Sequence, residues 1–501
     1  MGLHRTSSVA LQNFNVPQTR RHFLGHMGNF LCAGALASMA SLVPEEMLLG
    51  AESNPGINNR EGDPWVLVPV PGIAQKPLVI VWGQGGPSHL DLFDPKPEAP
   101  EEYKGPFKAI NTAVPGVQFT ELLPEMASVA NELRIVRCLS GNQAEHGMAT
   151  ALSTTGSTLL LNNRGDTLFN TPRYDSAQIK LSKELMKKGL GLVVLDSNAG
   201  REVYGGLQAK DSSSTLVQCN FDCGIYPSPF GNSADLERVS QVLELRGKFD
   251  RDRENNIYGQ AGQRIDEVYA SAQNVLGKNF CKAFDLTNVS PEIRACLGNS
   301  PAENSAIVAA NLIKSGANLV ILNMGFFDSH NNIEDDLKNG QETKLNKVSF
   351  LFNSDDEFFI PLQPPEKRIF IPGLGPTLDR VLKYLKDEIG EQAVIVFAGE
   401  FGRTPKMDRS GRDHWPNAYT MLMMGRGVEP AVIGETDGKG EEVISKEKYA
   451  PETVLESAIN AAGYMRVKLR AGIIPESPER FPTQTGFENL HRNAFLAKSK
   501  I

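Results

Sequence analysis

Short, unbroken apolar runs, each ending in a loop of glycine and polar residues, recur between helical patterns along this chain and restrict it to an α/β architecture. The plainest is Val394-Ile-Val-Phe-Ala398. Five apolar residues without a polar alternate describe a strand buried on both faces, as in a sheet covered by helices on either side. Pro77-Leu-Val-Ile-Val-Trp82, Leu133 to Cys138, Gly191 to Leu195, Asn318 to Asn323 and Tyr419 to Met424 read the same way. Helical periodicity lies between them at Leu122 to Glu132, Gly147 to Thr155, Ala302 to Ser315, Gly375 to Ile389 and Pro451 to Ala462. Helix and strand alternating in this manner predict a three-layer α/β/α sandwich. We expect one domain over 64–490, with a charged, nearly proline-free helical insertion at 234–300 and an excursion without a clean period at 331–368.

At 501 residues with a net charge of -8 the chain carries no basic footprint, which excludes nucleic acid as an expected partner. Residues 1–50 read as a targeting segment and linker. Arg20-Arg21 precedes a moderately apolar, Ala- and Gly-rich run from Phe30 to Val43, resembling a bacterial twin-arginine export signal with a periplasmic or secreted destination. That run is too short and too weakly apolar for a stable membrane span. Of six cysteines, Cys32 lies in this segment, and Cys219 and Cys223 are close enough to bridge locally. No second Cys or His pair follows them at zinc-ligand spacing.

The residues that carry chemistry gather in four loops at strand ends: Gln84 to Asp91 with Ser88 and His89, Glu145-His146, Asp328-Ser-His330, and Glu400 with Asp413-His414. Five of the eight histidines lie beyond the targeting segment, and four of those five are in these loops. Ligands of open α/β sheets sit just outside the carboxyl ends of the strands, so carboxylates and imidazoles delivered there can converge on one ion or substrate. In Asp328-x-His330, residues two apart in an extended turn point to one side and can share a divalent cation. The turn Gly83 to Ser88 lacks the glycine spacing of a dinucleotide fingerprint. Trp415 and Phe326-Phe327 are candidate pocket walls or packing.

Taken together, Val79 to Pro97, His146-Gly147 leading to Thr155-Gly156, Gly325 to Asn331, Gly399-Glu-Phe-Gly-Arg-Thr-Pro405 and Gly411-Arg-Asp-His-Trp-Pro416 resemble the domain of unknown function 1501 family. That family in turn resembles the alkaline phosphatase and sulfatase superfamily. The resemblance implies a divalent metal (zinc, calcium or manganese) held by Asp328, His330, Glu400 and His414. It also implies His146 at the nucleophile or acid-base position. The expected substrate is a small-molecule or polysaccharide ester of phosphate or sulfate, with Arg403 neutralising an ester oxygen or serving as a structural salt bridge. Gln84, Ser88, His89, Asp91 and Asp413 are expected to line the site.

Two departures from the superfamily pattern stand out. The Asp expected directly after the first strand falls at Gly83 or Gln84, with His89 and Asp91 as candidate substitutes, and position 146 holds no Ser, Thr or Cys. Histidine there can form a phosphoramidate, act as acid or base, or bind the metal. Direct attack by water is the alternative, and a non-catalytic protein binding a glycan, a cell-surface polymer or another protein is the rival reading.

Overall fold

The computed structural model describes residues 65–69, 73–146, 149–150, 153, 192–196, 215–218, 241, 280–344, 368–451 and 453–468. The expected export segment, Cys219 and Cys223, most of the expected helical insertion and residues 345–367 of the expected excursion lie outside them. Eight strands form the central sheet: β1 (Leu78–Gln84), β2 (Arg134–Leu139), β3 (Leu192–Asp196), β4 (Thr215–Gln218), β5 (Leu319–Phe326), β6 (Val394–Ala398), β7 (Tyr419–Gly425) and β8 (Ala431–Ile433). Their order is β8-β2-β7-β6-β1-β5-β3-β4. Every pairing is parallel except the two made by β7, which runs against β6 and β2.

The apolar strands alternate between two cores, as the two-residue period of a strand requires. Val79, Val81, Val320, Leu322, Ile395 and Phe397 face one cluster, shared with helices α1 (Pro301–Lys314) and α2 (Leu374–Ile389). Leu78, Ile80, Trp82, Leu319, Ile321, Val394 and Val396 face the other, closed by α3 (Thr453–Ala461) through Ala458 and Ile459. A sheet with helices on both faces is the expected three-layer sandwich. Burying each such aliphatic side chain stabilises by about 1.5–3 kcal/mol, so the two faces together supply most of the drive to fold.

Local sequence sets the helix ends. Ser300 caps α1, Pro301 opens it, and Glu303 reaches back to the Ser300 amide at 2.7 Å, completing a capping box. In α2, Leu378, Val381, Leu382, Leu385 and Ile389 repeat at helical spacing and are fully buried. Its Asp379 accepts hydrogen bonds from the amides of Glu125 and Met126 at 3.0 and 2.9 Å, so α2 caps the short helix Pro124–Ser128, which packs into the same core.

The expected helix Leu122 to Glu132 is instead two short pieces, Pro124–Ser128 and the 3-10 turn Ala130–Glu132. The strand β4 was not anticipated, because Thr-Leu-Val-Gln is too short and too mixed to stand out from its surroundings. In the excursion, Gln341–Lys344 pairs antiparallel with Arg368–Ile371, forming an arm, and near the carboxyl end Tyr464–Lys468 pairs with Trp65–Pro69. No helix among the described residues is long and apolar enough to cross a membrane. Cys138 and Cys296 are free thiols, and burial pushes that of Cys138 up to about 12.

Candidate metal centre

Adjacent parallel strands β6, β1 and β5 end at the same edge of the sheet, which brings the loops carrying Glu400, Gly85 and Asp328 side by side. The loop from β2 to His146 leaves from that edge too. Because β7 runs the other way, the segment entering it, Gly411 to Ala418, also lies there. That segment is held by a two-residue antiparallel pairing of Gly402–Arg403 with His414–Trp415 and by the Gly141 amide donating to the Pro416 carbonyl at 2.7 Å. Gly411 lets this loop touch the Asp328 loop, since a Cβ there would come 2.2 Å from the His330 carbonyl oxygen.

Three imidazoles converge on one carboxylate. The Asp328 Oδ1 atom lies 2.9 Å from His330 Nε2 and 3.2 Å from His414 Nε2, and its Oδ2 lies 3.4 Å from His146 Nε2. The Nε2 atoms of His330 and His414 are 3.1 Å apart. Each ring is oriented through its other nitrogen. His146 Nδ1 donates to Glu400 Oε1 at 2.9 Å, His330 Nδ1 to Asp413 Oδ1 at 2.6 Å, and His414 Nδ1 to the Ala144 carbonyl at 2.5 Å. Phe401, fully buried, backs two of the rings, with centroids 5.1 Å from His146 and 4.6 Å from His414.

The electrostatics follow from this crowding. Burial raises the Asp328 carboxyl pKa, but hydrogen bonds from His146 and His414 and the Arg403 guanidinium outweigh it and hold the group well below the usual carboxylate range. Burial lowers the His146 imidazole in the same way, and there the Asp328 and Glu400 carboxylates prevail, raising it to about 10. The site therefore favours positive charge between Asp328 and His146.

The chemistry of the donors suits a metal. Ligand atoms of His146, Asp328 and His414 all lie within 4.8 Å of one another. Bonds of about 2.0–2.1 Å in a tetrahedron imply ligand atoms about 3.3–3.4 Å apart, close to the separations around Asp328. An oxygen on the far nitrogen of each imidazole is the arrangement that orients metal-binding histidines. Glu400, expected as a direct ligand, is 1% exposed, and its Oε1 serves the His146 ring and the Gly85 amide, the latter at 2.6 Å. Its Oε2 has no hydrogen-bond partner among the described residues.

Arg403 is fully buried, donating to the carbonyls of Gly85, Gly86 and Arg412 and to Asp328 Oδ1. Asp413 is exposed beyond His330. The Gln84 side chain accepts from Asn323 Nδ2 at 2.9 Å, at the foot of the site. Ser88, His89 and Asp91 are not gathered at the three imidazoles: Ser88 caps the turn His89–Leu92, His89 Nε2 bonds the Gly440 carbonyl at 2.9 Å, and Asp91 pairs with Arg412 at 2.6 Å. Burial lowers the His89 pKa, which keeps the imidazole neutral. Phe327 packs in the core, and Trp415, half-buried, donates its indole N–H to the Glu441 carbonyl at 2.7 Å. Sequence reasoning passed over Phe401 and Arg412. The only signal for either was its position inside the Gly399–Pro405 and Gly411–Pro416 motifs.

A three-layer α/β/α sheet with a histidine and carboxylate cluster at its carboxyl edge defines the class. The chain matches the family described as a protein of unknown function, DUF1501, over residues 75–349 and 367–469, and it belongs to that family. No curated protein matches it significantly. Among solved structures, it resembles Ps i-CgsB at 10% identity and a TM-score of 0.36, covering 78% of this chain and 72% of that one. It also resembles a protein in the alkaline phosphatase superfamily from Vibrio parahaemolyticus, at 8% identity and a TM-score of 0.31, covering 90% and 77%. A third likeness is to the C-terminal periplasmic domain of EcEptC from Escherichia coli in complex with Zn, at 10% identity and a TM-score of 0.32, covering 81% and 87%. These likenesses are distant, and the chemistry below rests on the residues of this chain.

Proposed function

We propose that this protein is an exported metal-dependent hydrolase of phosphate or sulfate esters, with one divalent ion held by Asp328, His146, His330 and His414. The observation that carries the proposal is the pairing of every Nδ1 with an oxygen while the three Nε2 atoms face Asp328. Such an imidazole-rich donor set suits zinc, whereas calcium takes oxygen ligands. A bound divalent ion supplies Lewis acidity that polarises an ester oxygen.

The chain's own residues then have separable tasks. Glu400 holds the proton on His146 Nδ1 and so presents Nε2 as the ligand. With both ring nitrogens engaged by carboxylates, His146 serves as a ligand in this reading, and water is the attacking group. Asp413 and the Ala144 carbonyl orient the other two rings. Phe401 restricts ring rotation by contact on one side.

The lack of a hydroxyl or thiol at position 146 favours a second reading, a metal-bearing protein that binds a glycan or polymer without cleaving it. Metal analysis of the purified protein, followed by assays on aryl phosphate and aryl sulfate esters, decides between them. The hydrolase predicts about one zinc per chain and a turnover that His414→Ala removes. Stoichiometric metal without turnover supports the binding protein. A chain that holds no metal, and whose properties His414→Ala leaves unchanged, overturns both.

A further inference from the structure

Arg403 has a fully buried guanidinium whose donors are committed to four acceptors on three loops. Nε donates to the Gly86 carbonyl at 3.0 Å and Nη1 to the Arg412 carbonyl at 3.1 Å. Nη2 donates to both the Gly85 carbonyl and Asp328 Oδ1. Arg403 therefore ties the loop after β1, the loop after β5 and the segment leading into β7 to one rigid plane. A guanidinium carries five N–H groups in a fixed fork, so this set nearly exhausts it. Little donor capacity remains for an ester oxygen.

The turn at Gly85 is built to meet that fork. Gly85 has φ of 95°, and a Cβ there would lie 2.6 Å from the Asp328 amide nitrogen, so only glycine permits this approach. One residue thereby presents its N–H to Glu400 and its carbonyl to Arg403. Glu400 in turn holds His146, and Arg403 holds Asp328. Where the superfamily resemblance leads one to expect an acidic ligand after the first strand, this chain has a backbone amide and carbonyl that brace two other side chains.

We infer that Arg403 is a positioning residue that sets the orientation of Asp328 through a guanidinium clasp on the Gly85–Gly86 turn and the Arg412 carbonyl, and so determines metal affinity. The inference rests on the metal-centre reading above. Arg403, His330 and His414 all contact Asp328 Oδ1, whereas His146 contacts Oδ2. Loss of the fork frees the carboxylate to rotate and exchange these roles. Lysine brings the charge but cannot satisfy four acceptors in one plane.

The test measures zinc affinity by calorimetry and the visible absorption of the cobalt(II)-loaded protein for wild type, Arg403→Lys and Arg403→Gln. Arg380→Lys is the control, because Arg380 is a partly buried guanidinium that forks onto Glu303 and the Leu297 carbonyl, neither of them an imidazole, Asp328 or a partner of Arg403. We expect zinc to bind about 10–100-fold more weakly to both Arg403 variants, with a changed cobalt spectrum. Arg380→Lys is expected to lower the melting temperature while leaving the spectrum and the affinity unchanged. If Arg403→Gln does not fold, Arg403→Lys, which keeps a cation in the same space, decides. Wild-type affinity and spectrum in Arg403→Lys overturn the inference and leave the metal centre standing. A wild-type chain that binds no zinc overturns the metal centre and the inference with it.

Discussion

Metal binding to this site should expel a proton. The Asp328 and Glu400 carboxylates raise the His146 imidazole to about 10, against burial. An ordinary imidazole with a pKa near 6.5 is only about 10% protonated at pH ~7.5, so binding a metal through it releases about 0.1 proton. For His146 the protonated form exceeds about 99% at the same pH, and the expected release is close to one proton per zinc. The sign follows directly. Protons compete with the ion, so affinity rises with pH, by about tenfold per unit between about pH 7 and 9, where an ordinary imidazole site would change by less than about threefold. Titration calorimetry in two buffers of different ionisation heat measures the protons released, and competition with a chelator measures affinity across the range. Glu400→Gln removes one of the two carboxylates that raise His146, so it should move the onset of proton release to lower pH. It should also weaken zinc binding at high pH by about 10–100-fold through loss of the ring's partner. Release below about 0.3 proton at pH ~7.5, together with an affinity flat from about pH 7 to 9, would refute the assignment of His146 as a carboxylate-clamped ligand.

Two further predictions concern the frame around the site. Arg412 and Asp91 form a buried pair, both fully inaccessible, so Arg412→Met should lower stability to urea by about 3–5 kcal/mol because Asp91 is left uncompensated. Adding Asp91→Leu should restore a large part of the loss, and a single-variant cost below about 1 kcal/mol would contradict the buried-pair argument. Asp379 has a carboxyl raised to about 6, first by burial and against the two amides it accepts from. A raised carboxyl means that the folded state holds the proton more tightly than the unfolded one. The contribution is therefore full below about pH 4 and lost as pH rises to about 6, with an amplitude of about 2–3 kcal/mol. Asp379→Asn should flatten that part of the stability profile, and a wild-type minus variant difference that does not change across the window would refute it.

Much of the scaffold was legible because burial on both faces leaves a strong local trace. Val394 to Ala398, Pro77 to Trp82 and Asn318 to Asn323 each announce a central strand, and the polar loops after them carry the histidines and carboxylates that meet at the sheet edge. The peripheral strands β4 and β8 have only three or four residues and little apolar signal of their own. Their existence depends on a neighbour offering backbone partners, which is not encoded locally. The placement of Ser88, His89 and Asp91 away from the imidazoles was equally hidden. The short helical turn at His89–Leu92 sends Asp91 to Arg412, a partner far away in the chain.

The amino-acid sequence by itself determined that this is a helix-covered, largely parallel sheet, that four histidines and their neighbouring carboxylates lie on loops at strand ends, and which family it belongs to. Tertiary structure decided the geometry of the site. Reversal of β7 brings the Asp413-His414 segment to the edge where Asp328 and Glu400 already lie, and the Gly85 turn and Arg403 fix which oxygen meets which nitrogen. An apolar run has the same composition whichever way it points, and a carboxylate can serve as a ligand or as a ligand's partner. Only the long-range hydrogen bonds that pair strands and loops distinguish those outcomes.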